Sequence, residues 1–368
     1  MNKALLDLYS DYLLSSFSLA TATGLSALVD NAYSHDQITR FLGQPRYEQK
    51  EYWQVIKPVV RQVQQADGLI LVDDTIEEKP YTDESELICY HYDHSQERNV
   101  KGINLLNFVY QVSTAEGKEI ALPVAYEVIT KPEVYQDPKT QQYKRRSLVT
   151  KNELVRQRLK ILSQTNQLPF KYVVNDSWFS SRDNMKWIKT DLAKEFVMAL
   201  KSNRLVALPP EEGQKKQFVT ISELHLTPSQ VCLVHLQDLS FPVLVTKRLF
   251  INQDGSSGTL YLVSSDTTLS YDQLTTLYQK RWQVELFHKS LKQNAALEKS
   301  PTKTIRSQCN HIFAAMVAVV KLECLTLIQQ TNHFALKAKL YLKAVKAAFD
   351  ELRSFNCPSL DTVNFPAA

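Results

Sequence analysis

Paired cysteines are the first thing this sequence lacks. Cys89, Cys232, Cys309, Cys324 and Cys357 are scattered without a Cys-x-x-Cys pair, which excludes a zinc ribbon or a disulfide framework and fits reduced thiols in a cytoplasmic chain. Glycine is scarce, with eight in 368 residues, so long flexible linkers are excluded and directly abutting modules are expected. Net charge is nearly absent: 43 Lys and Arg against 39 Asp and Glu leave +4, which permits a nucleic-acid partner without demanding one. No apolar run reaches the roughly 18 uncharged residues of a membrane span. The strongest, residues 312–328, is interrupted by Lys321 and Glu323 and reads as a buried helix. The apolar stretch at 13–19 follows Asp7 and Asp11 and is broken by serines, unlike a secretory signal. No membrane partner is expected.

What is present is a change of texture along the chain. Residues 1–65 read as helices: an apolar-periodic start, then 24–31 and 35–42, with Ser34 and Gln37 at capping-box spacing. The last two have helix-turn-helix proportions and offer Gln37, Thr39 and Arg40 to a DNA groove. Strands begin at residue 68, where Gly-Leu-Ile-Leu-Val runs into Asp73 and Asp74. Two β-rich runs, 103–112 and 119–129, flank the turn-like Ala115-Glu116-Gly117 and are expected to pair as a hairpin. A charged segment, 131–146, ends in Lys144-Arg145-Arg146, a solvated run or a phosphate contact. A helix at 152–164, a strand at 172–174 ending at Asn175 and Asp176, a helix at 182–192 and a strand at 196–200 follow.

The expected fold class is therefore α/β, a mixed sheet in which the first and fourth strands lie side by side and bring their acidic ends to one place, as in the ribonuclease H-like fold. Residues 66–202 form its first part. Residues 203–268, with short alternating strands, read as a β-rich insertion. Residues 269–300 return to the core with a helix over 274–294, and residues 301–368 hold two long C-terminal helices. His91-Tyr92-Asp93-His94 has the residue types of a metal site, but two histidines three apart are weak evidence; a hydrated connection is expected there.

The helix over 274–294 carries the most specific pattern, Tyr278-x2-Arg281-x3-Glu285-x6-Lys292. At about 100° per residue the four side chains fall within a stripe roughly 60° wide. Leu277, Val284, Phe287 and Leu291 lie on the other side, as in a helix docked on a core while its polar stripe looks into a site. A carboxylate on such a face can complete a magnesium site, and Arg, Lys and a Tyr hydroxyl can hold phosphates. Taken singly the residues are ordinary: Asp176 could be a turn residue and Glu285 an i, i+4 partner of Arg281.

Jointly they resemble the DDE transposases of bacterial insertion sequences, in the branch called the insertion sequence four family. The Tyr, Arg, Glu, Lys signature is matched in full, alongside Asp74-Thr75, Asp-Ser-Trp-Phe at 176–179, and a β-rich insertion before the glutamate. The resemblance spans about residues 68–295. It implies that Asp74, Asp176 and Glu285 bind two Mg2+ ions, or Mn2+, for strand cleavage and joining, with Asp73 in support. It implies that Tyr278, Arg281 and Lys292 grip the transposon end. It implies a homodimer acting on the double-stranded terminal inverted repeats and a target DNA, cut-and-paste excision through hairpin ends, and a cytoplasmic, nucleoid-associated location. Trp178, Trp187 and Trp282 are candidates to stack on a flipped base. Two other readings stay open: a nuclease of the same fold, and a catalytically inactive transposase-derived DNA-binding regulator.

Overall fold

The computed structural model describes residues 1–368 except 94–95, 115, 211–214, 252–254 and 356–368. His94, Ala115 and Cys357 therefore lie outside the described residues. The chain opens with four helices: α1 (Lys3–Ser15), α2 (Ala22–Leu28), α3 (His35–Leu42) and α4 (Gln49–Val63). The capping box at the start of α3 is formed, Ser34 Oγ accepting from the Gln37 amide and Gln37 Oε1 from the Ser34 amide. Helix α2 is shorter than the expected 24–31. Asp30 and Asn31 have φ of 50° and 60°, a left-handed conformation that Asp and Asn tolerate and that ends a helix.

The central sheet is built from β1 (Leu69–Glu78), β2 (Cys89–Asp93), β3 (Arg98–Ser113), β4 (Glu119–Ile129), β7 (Tyr172–Asn175) and β8 (Glu195–Leu200), with the small hairpin β5 (Glu133–Gln136) and β6 (Tyr143–Arg146) set apart. Helix α5 (Lys151–Lys160) precedes β7 and α6 (Arg182–Thr190) separates β7 from β8. The hairpin read from sequence is β3 with β4, antiparallel from Asn104 with Ile129 to Ser113 with Glu119. The first and fourth expected strands, β1 and β7, pair in parallel, and β7 pairs in parallel with β8.

Strand β2 falls where a hydrated connection was expected. It pairs with the first residues of β3, and its burial alternates along the strand. His91 consequently points inward, where its Nε2 lies 3.4 Å from Cys89 Sγ and burial pushes its pKa down to about 3. In the β5–β6 hairpin, Lys144, Arg145 and Arg146 each meet an acid: Asp137, Glu84 and Glu133.

The β-rich stretch comprises β9 (Leu205–Ala207), β10 (Val219–Thr220), β11 (Val231–Leu236), β12 (Val243–Ile251) and β13 (Ser257–Ser264). It extends the main sheet. β13 runs antiparallel to β8, and the order β10-β9-β11-β12-β13-β8-β7-β1-β3-β2, with β4 also on β3, is continuous.

Helices α7 (Tyr271–Gln279) and α8 (Trp282–Gln293) then cross one face, and α9 (Ile305–Gln329) and α10 (His333–Ser354) close the chain. Helix α9 is long and apolar enough to cross a membrane, but 72% of its most apolar window is buried within the fold. Phe313, Met316, Val319 and Val320 are core residues there. Helix α10 buries none of its residues.

His311 shows how closely α9 is held. Its Nε2 donates to the carbonyls of Ala296 and Leu297 at 3.0 and 3.2 Å, which leaves Nδ1 to accept from the Tyr9 hydroxyl at 2.9 Å. Burial pushes its pKa from 6.5 down to about 4, against the pull of those carbonyls. The unfolded chain therefore takes up a proton first as pH falls. The stability tied to neutral His311 is complete above pH 6.5 and is lost as pH drops toward 4, by up to about 1.4 kcal/mol per pH unit. Asp73 and Glu77, both pushed up to about 7 chiefly by burial, act in the opposite sense over the same window. The check is accordingly a difference: denaturation curves of His311→Gln between pH 7 and 5 are expected to show a flatter loss on acidification than the parent, and parallel slopes would refute the burial argument.

Candidate active site

Strands β1 and β7 stay paired from Leu69 with Tyr172 to Val72 with Asn175 and then separate. Asp73, Asp74 and Asp176 follow immediately on that point. β1 does not end there, as the sequence suggested; it continues to Glu78 along β3, with Asp73 opposite Asn107 and Asp74 opposite Leu106. The acids lie inside a strand where one of its two neighbours has been lost. Since successive side chains on a strand alternate, the two point apart. Asp73 Oδ2 meets Arg281 Nη1 at 3.2 Å, whereas Asp74 Oδ2 accepts from Lys151 Nζ and from Asn104 Nδ2, each at 2.7 Å.

The helix expected over 274–294 is two helices. α7 ends at Gln279 and α8 begins at Trp282, with Lys280 and Arg281 between them. Tyr278 thus belongs to α7, while Glu285 and Lys292 lie on α8 with Arg281 at its N-cap. The apolar side is as read: Val284, Phe287 and Leu291 are buried, and Leu277 packs on the core. His288, also on α8, is buried as well. Its Nε2 accepts from Asn107 Nδ2 at 3.1 Å, and burial pushes its pKa down to about 3, so it is neutral at ordinary pH.

A cavity of about 780 Å³ opens where these segments meet. Asp73, Asp74, Asp176 and Glu285 line it, together with the bases Lys151, Lys201, Arg281, Lys289 and Lys292 and the ring of Trp178. Tyr278 is not on its wall; it stands behind Arg281, whose guanidinium carbon is 5.9 Å from the ring centre. Lys292 donates to the Ile76 carbonyl at 2.6 Å and pairs with Glu298 at 3.6 Å. Gln37, Thr39 and Arg40 are exposed on α3 and do not line the cavity; the Gln37 oxygen is engaged in its capping box. Trp187 packs against the core, and Trp282 is 60% exposed.

The ordinary roles of the acids are also realised. Asp176 Oδ1 accepts from the amides of Trp178 and Phe179 at 3.0 and 3.3 Å, closing a turn, and Glu285 Oε1 is the i, i+4 partner of Arg281 at 3.1 Å. These roles coexist with crowding. Burial first, then the charges of Asp176 and Asp74, push Asp73 up to about 7 although Arg281 opposes it, and burial raises Asp176 despite its two amide donors.

Burial and mutual repulsion raise Asp73 and Asp176, and a donor set made of carboxylate oxygens suits a hard divalent cation. In kind, the residues fit Mg2+ or Mn2+. As the side chains stand, no three His, Cys, Asp or Glu groups among the described residues converge on one ion position. Lys151 lies against Asp74 instead, and Arg281 bridges Asp73 to Glu285.

Lys151, Asn104 and the His288–Asn107 pair were not singled out from the sequence. For Lys151 a partial signal exists, since Thr150 and Glu153 form a capping box that starts α5 at residue 151 rather than 152. Nothing local links it to Asp74.

A family model described as DDE superfamily endonuclease matches residues 2–217, and one described as transposase DDE domain matches residues 145–320. The first match contains Asp74 and Asp176, the second Asp176 and Glu285. No curated protein matches the chain. With more than half of its length matched, this chain belongs to the DDE superfamily of endonucleases and transposases.

Proposed function

We propose that this chain is a transposase with a ribonuclease H-like core, acting on the terminal inverted repeats of a bacterial insertion sequence of the family called insertion sequence four. The observation that carries the reading is the common cavity: acids from two adjacent strands and from α8, far apart in sequence, line one wall space with five bases. The β4-β3-β1-β7-β8 order, with β3 antiparallel to β1 and with β1, β7 and β8 parallel, supports the fold assignment.

In this reading Asp74, Asp176 and Glu285 hold Mg2+ or Mn2+, which when bound supplies charge to activate an attacking oxygen and to stabilise a leaving one. The protein's own groups do the rest. Arg281, Lys289, Lys292 and Lys201 neutralise and orient the phosphates of the strand, a task suited to cations on a concave wall. Tyr278 backs Arg281 and fixes its direction. Trp178, on the cavity wall, offers a stacking surface to a base displaced from the duplex, as a hairpin route requires. Gln37, Thr39 and Arg40 on α3 would read the repeat. The partners are double-stranded end DNA, target DNA and a second copy of the chain, in the bacterial cytoplasm. A nuclease of the same fold is the second reading, because the same cavity can hydrolyse DNA without joining it.

Purified protein incubated with Mg2+ and a duplex carrying the element's end is expected to yield cleaved and joined strands. Cleavage without joined product would select the nuclease, and end binding without cleavage would select an inactive regulator. If Asp176→Ala and Glu285→Ala variants cleave as fast as the parent, the carboxylate assignment fails.

A further inference from the structure

Among the cavity's acids, Asp74 has a distinctive environment. Both of its side-chain donors reach the same oxygen, Oδ2: Asn104 Nδ2 and Lys151 Nζ, each at 2.7 Å. Lys151 is the first residue of α5, a helix whose start is fixed by the reciprocal Thr150–Glu153 capping box. Its ammonium also lies 5.0 Å from the centre of the Trp178 ring, on the cavity wall. The Lys151 and Asp74 side chains are each 20% exposed, so the pair is partly shielded from solvent and from salt. An ammonium in hydrogen-bond contact with Oδ2 competes with a divalent ion for that oxygen. Both on one oxygen would bring three positive charges together in a space of low dielectric, which is strongly unfavourable.

We propose that Lys151 is a resident counter-cation: it holds Asp74 in the metal-free protein, is displaced from that oxygen when a divalent ion enters, and is then free to take a DNA phosphate in the same cavity. This rests on the reading of Asp74 as a metal ligand. The Trp178 face already holds the ammonium at 5.0 Å, and that cation–π contact can persist when the Asp74 oxygen is lost. A phosphate on the wall gives the ammonium a stronger contact. Displacement opposes metal binding while DNA is absent and opposes it less once a phosphate accepts the lysine. Metal and DNA therefore promote one another's binding, and by linkage the coupling is equal in both directions. The protein is in this way biased against holding the metal ion before DNA arrives.

The test reads Mn2+ binding directly, by the loss of the free-ion electron paramagnetic resonance signal, on the full chain with and without an end duplex. Lys151→Met, which removes the charge, and Lys151→Gln, which keeps a donor, are each expected to bind Mn2+ about tenfold more tightly than the parent in the absence of DNA. The duplex should tighten Mn2+ binding in the parent and have little further effect in either variant. A lysine that merely braces Asp74 predicts the opposite sign, because its loss would loosen the ligand. Equal or weaker Mn2+ binding by both variants overturns the proposal. Asp176→Asn separates the two levels: if it abolishes Mn2+ binding while the Lys151 variants match the parent, the metal site stands and the counter-cation role falls. If the parent and every variant fail to bind Mn2+, the site reading falls and the proposal with it.

Discussion

Asp74→Asn is expected to lower Mg2+-dependent cleavage by about a thousandfold or more, while the same change at Asp73 lowers it by about ten- to a hundredfold. The two acids are adjacent in sequence and both line the cavity, so a difference of this size depends on which way each points. Asp73 is committed to the protein: its Oδ1 accepts the Asp74 amide at 2.8 Å and its Oδ2 meets Arg281 at 3.2 Å. Burial, with Asp176 and Asp74 nearby, pushes it up to about 7 against the pull of Arg281. Asparagine at 73 keeps an acceptor for the Asp74 amide and loses only part of the hold on Arg281. Asn104 and Lys151 both converge on Asp74, where asparagine removes the charge that any cation would meet. Single-turnover cleavage of an end duplex by the two variants decides the matter. Equal losses would mean that both acids are needed at the metal, and a reversed order would move the assignment to Asp73.

The resemblance at Asp74-Thr75 favoured Asp74, but the direction of each side chain was not readable from the local pattern, and the reason is physical. The run Leu-Ile-Leu-Val before the acids is buried on both faces, so it lacks the alternation that would reveal which acid faces which side. The same kind of blindness hid β2: its Cys, Tyr and His residues alternate between buried and exposed, but five residues with a histidine and an aspartate look like a polar loop. Lys280 and Arg281 broke one expected helix into two without a glycine or proline to mark the place. Their backbone angles remain helical, at φ −61° and −53°, so no local propensity signals a change.

What was legible came from periodicity and from turn chemistry. The β3–β4 hairpin carries β-rich runs on either side of a turn-like segment, α3 carries a capping box at its start, and α9 carries apolar residues on every side. The strands of the β-rich stretch were also readable one by one. Their attachment to β8 through β13 was not, because edge pairing is decided by the neighbour's register and leaves no mark on the inserted segment. The candidate site shows the same division. Asp176, Glu285 and Arg281 were singled out by joint spacing and resemblance, whereas Lys151 and Asn104 reach the cavity through contacts with Asp74, 77 and 30 residues away in sequence.

Phe313→Ala is expected to destabilise the whole chain by about 3–5 kcal/mol, the range found when a buried aromatic is removed from a packed core. Phe313 lies in α9 and is fully buried, with the rings of Tyr47 and Tyr52 centred 5.2 and 5.7 Å away. The Tyr52 hydroxyl donates to the Pro123 carbonyl on β4 at 2.6 Å, so one aromatic cluster spans the N-terminal helices, the C-terminal helix and the sheet. Asn310, one turn earlier on α9, ties the same parts: its Nδ2 donates to the Leu42 and Gln44 carbonyls and its Oδ1 accepts from the Tyr47 amide. Deleting the ring leaves a cavity that three elements border, and none can close it without disturbing the other two. The N-terminal helices and the sheet should therefore unfold in one transition, and the variant should shift that transition rather than split it. Chemical denaturation followed by tryptophan fluorescence and by helical circular dichroism tests both points. Phe349→Ala on the exposed α10 serves as the reference, since a surface change away from packed contacts is worth about 0.5 kcal/mol or less. A loss below about 1 kcal/mol for Phe313→Ala, or separate transitions in the parent protein, would mean that α9 does not couple the helical ends to the central sheet as the packing requires.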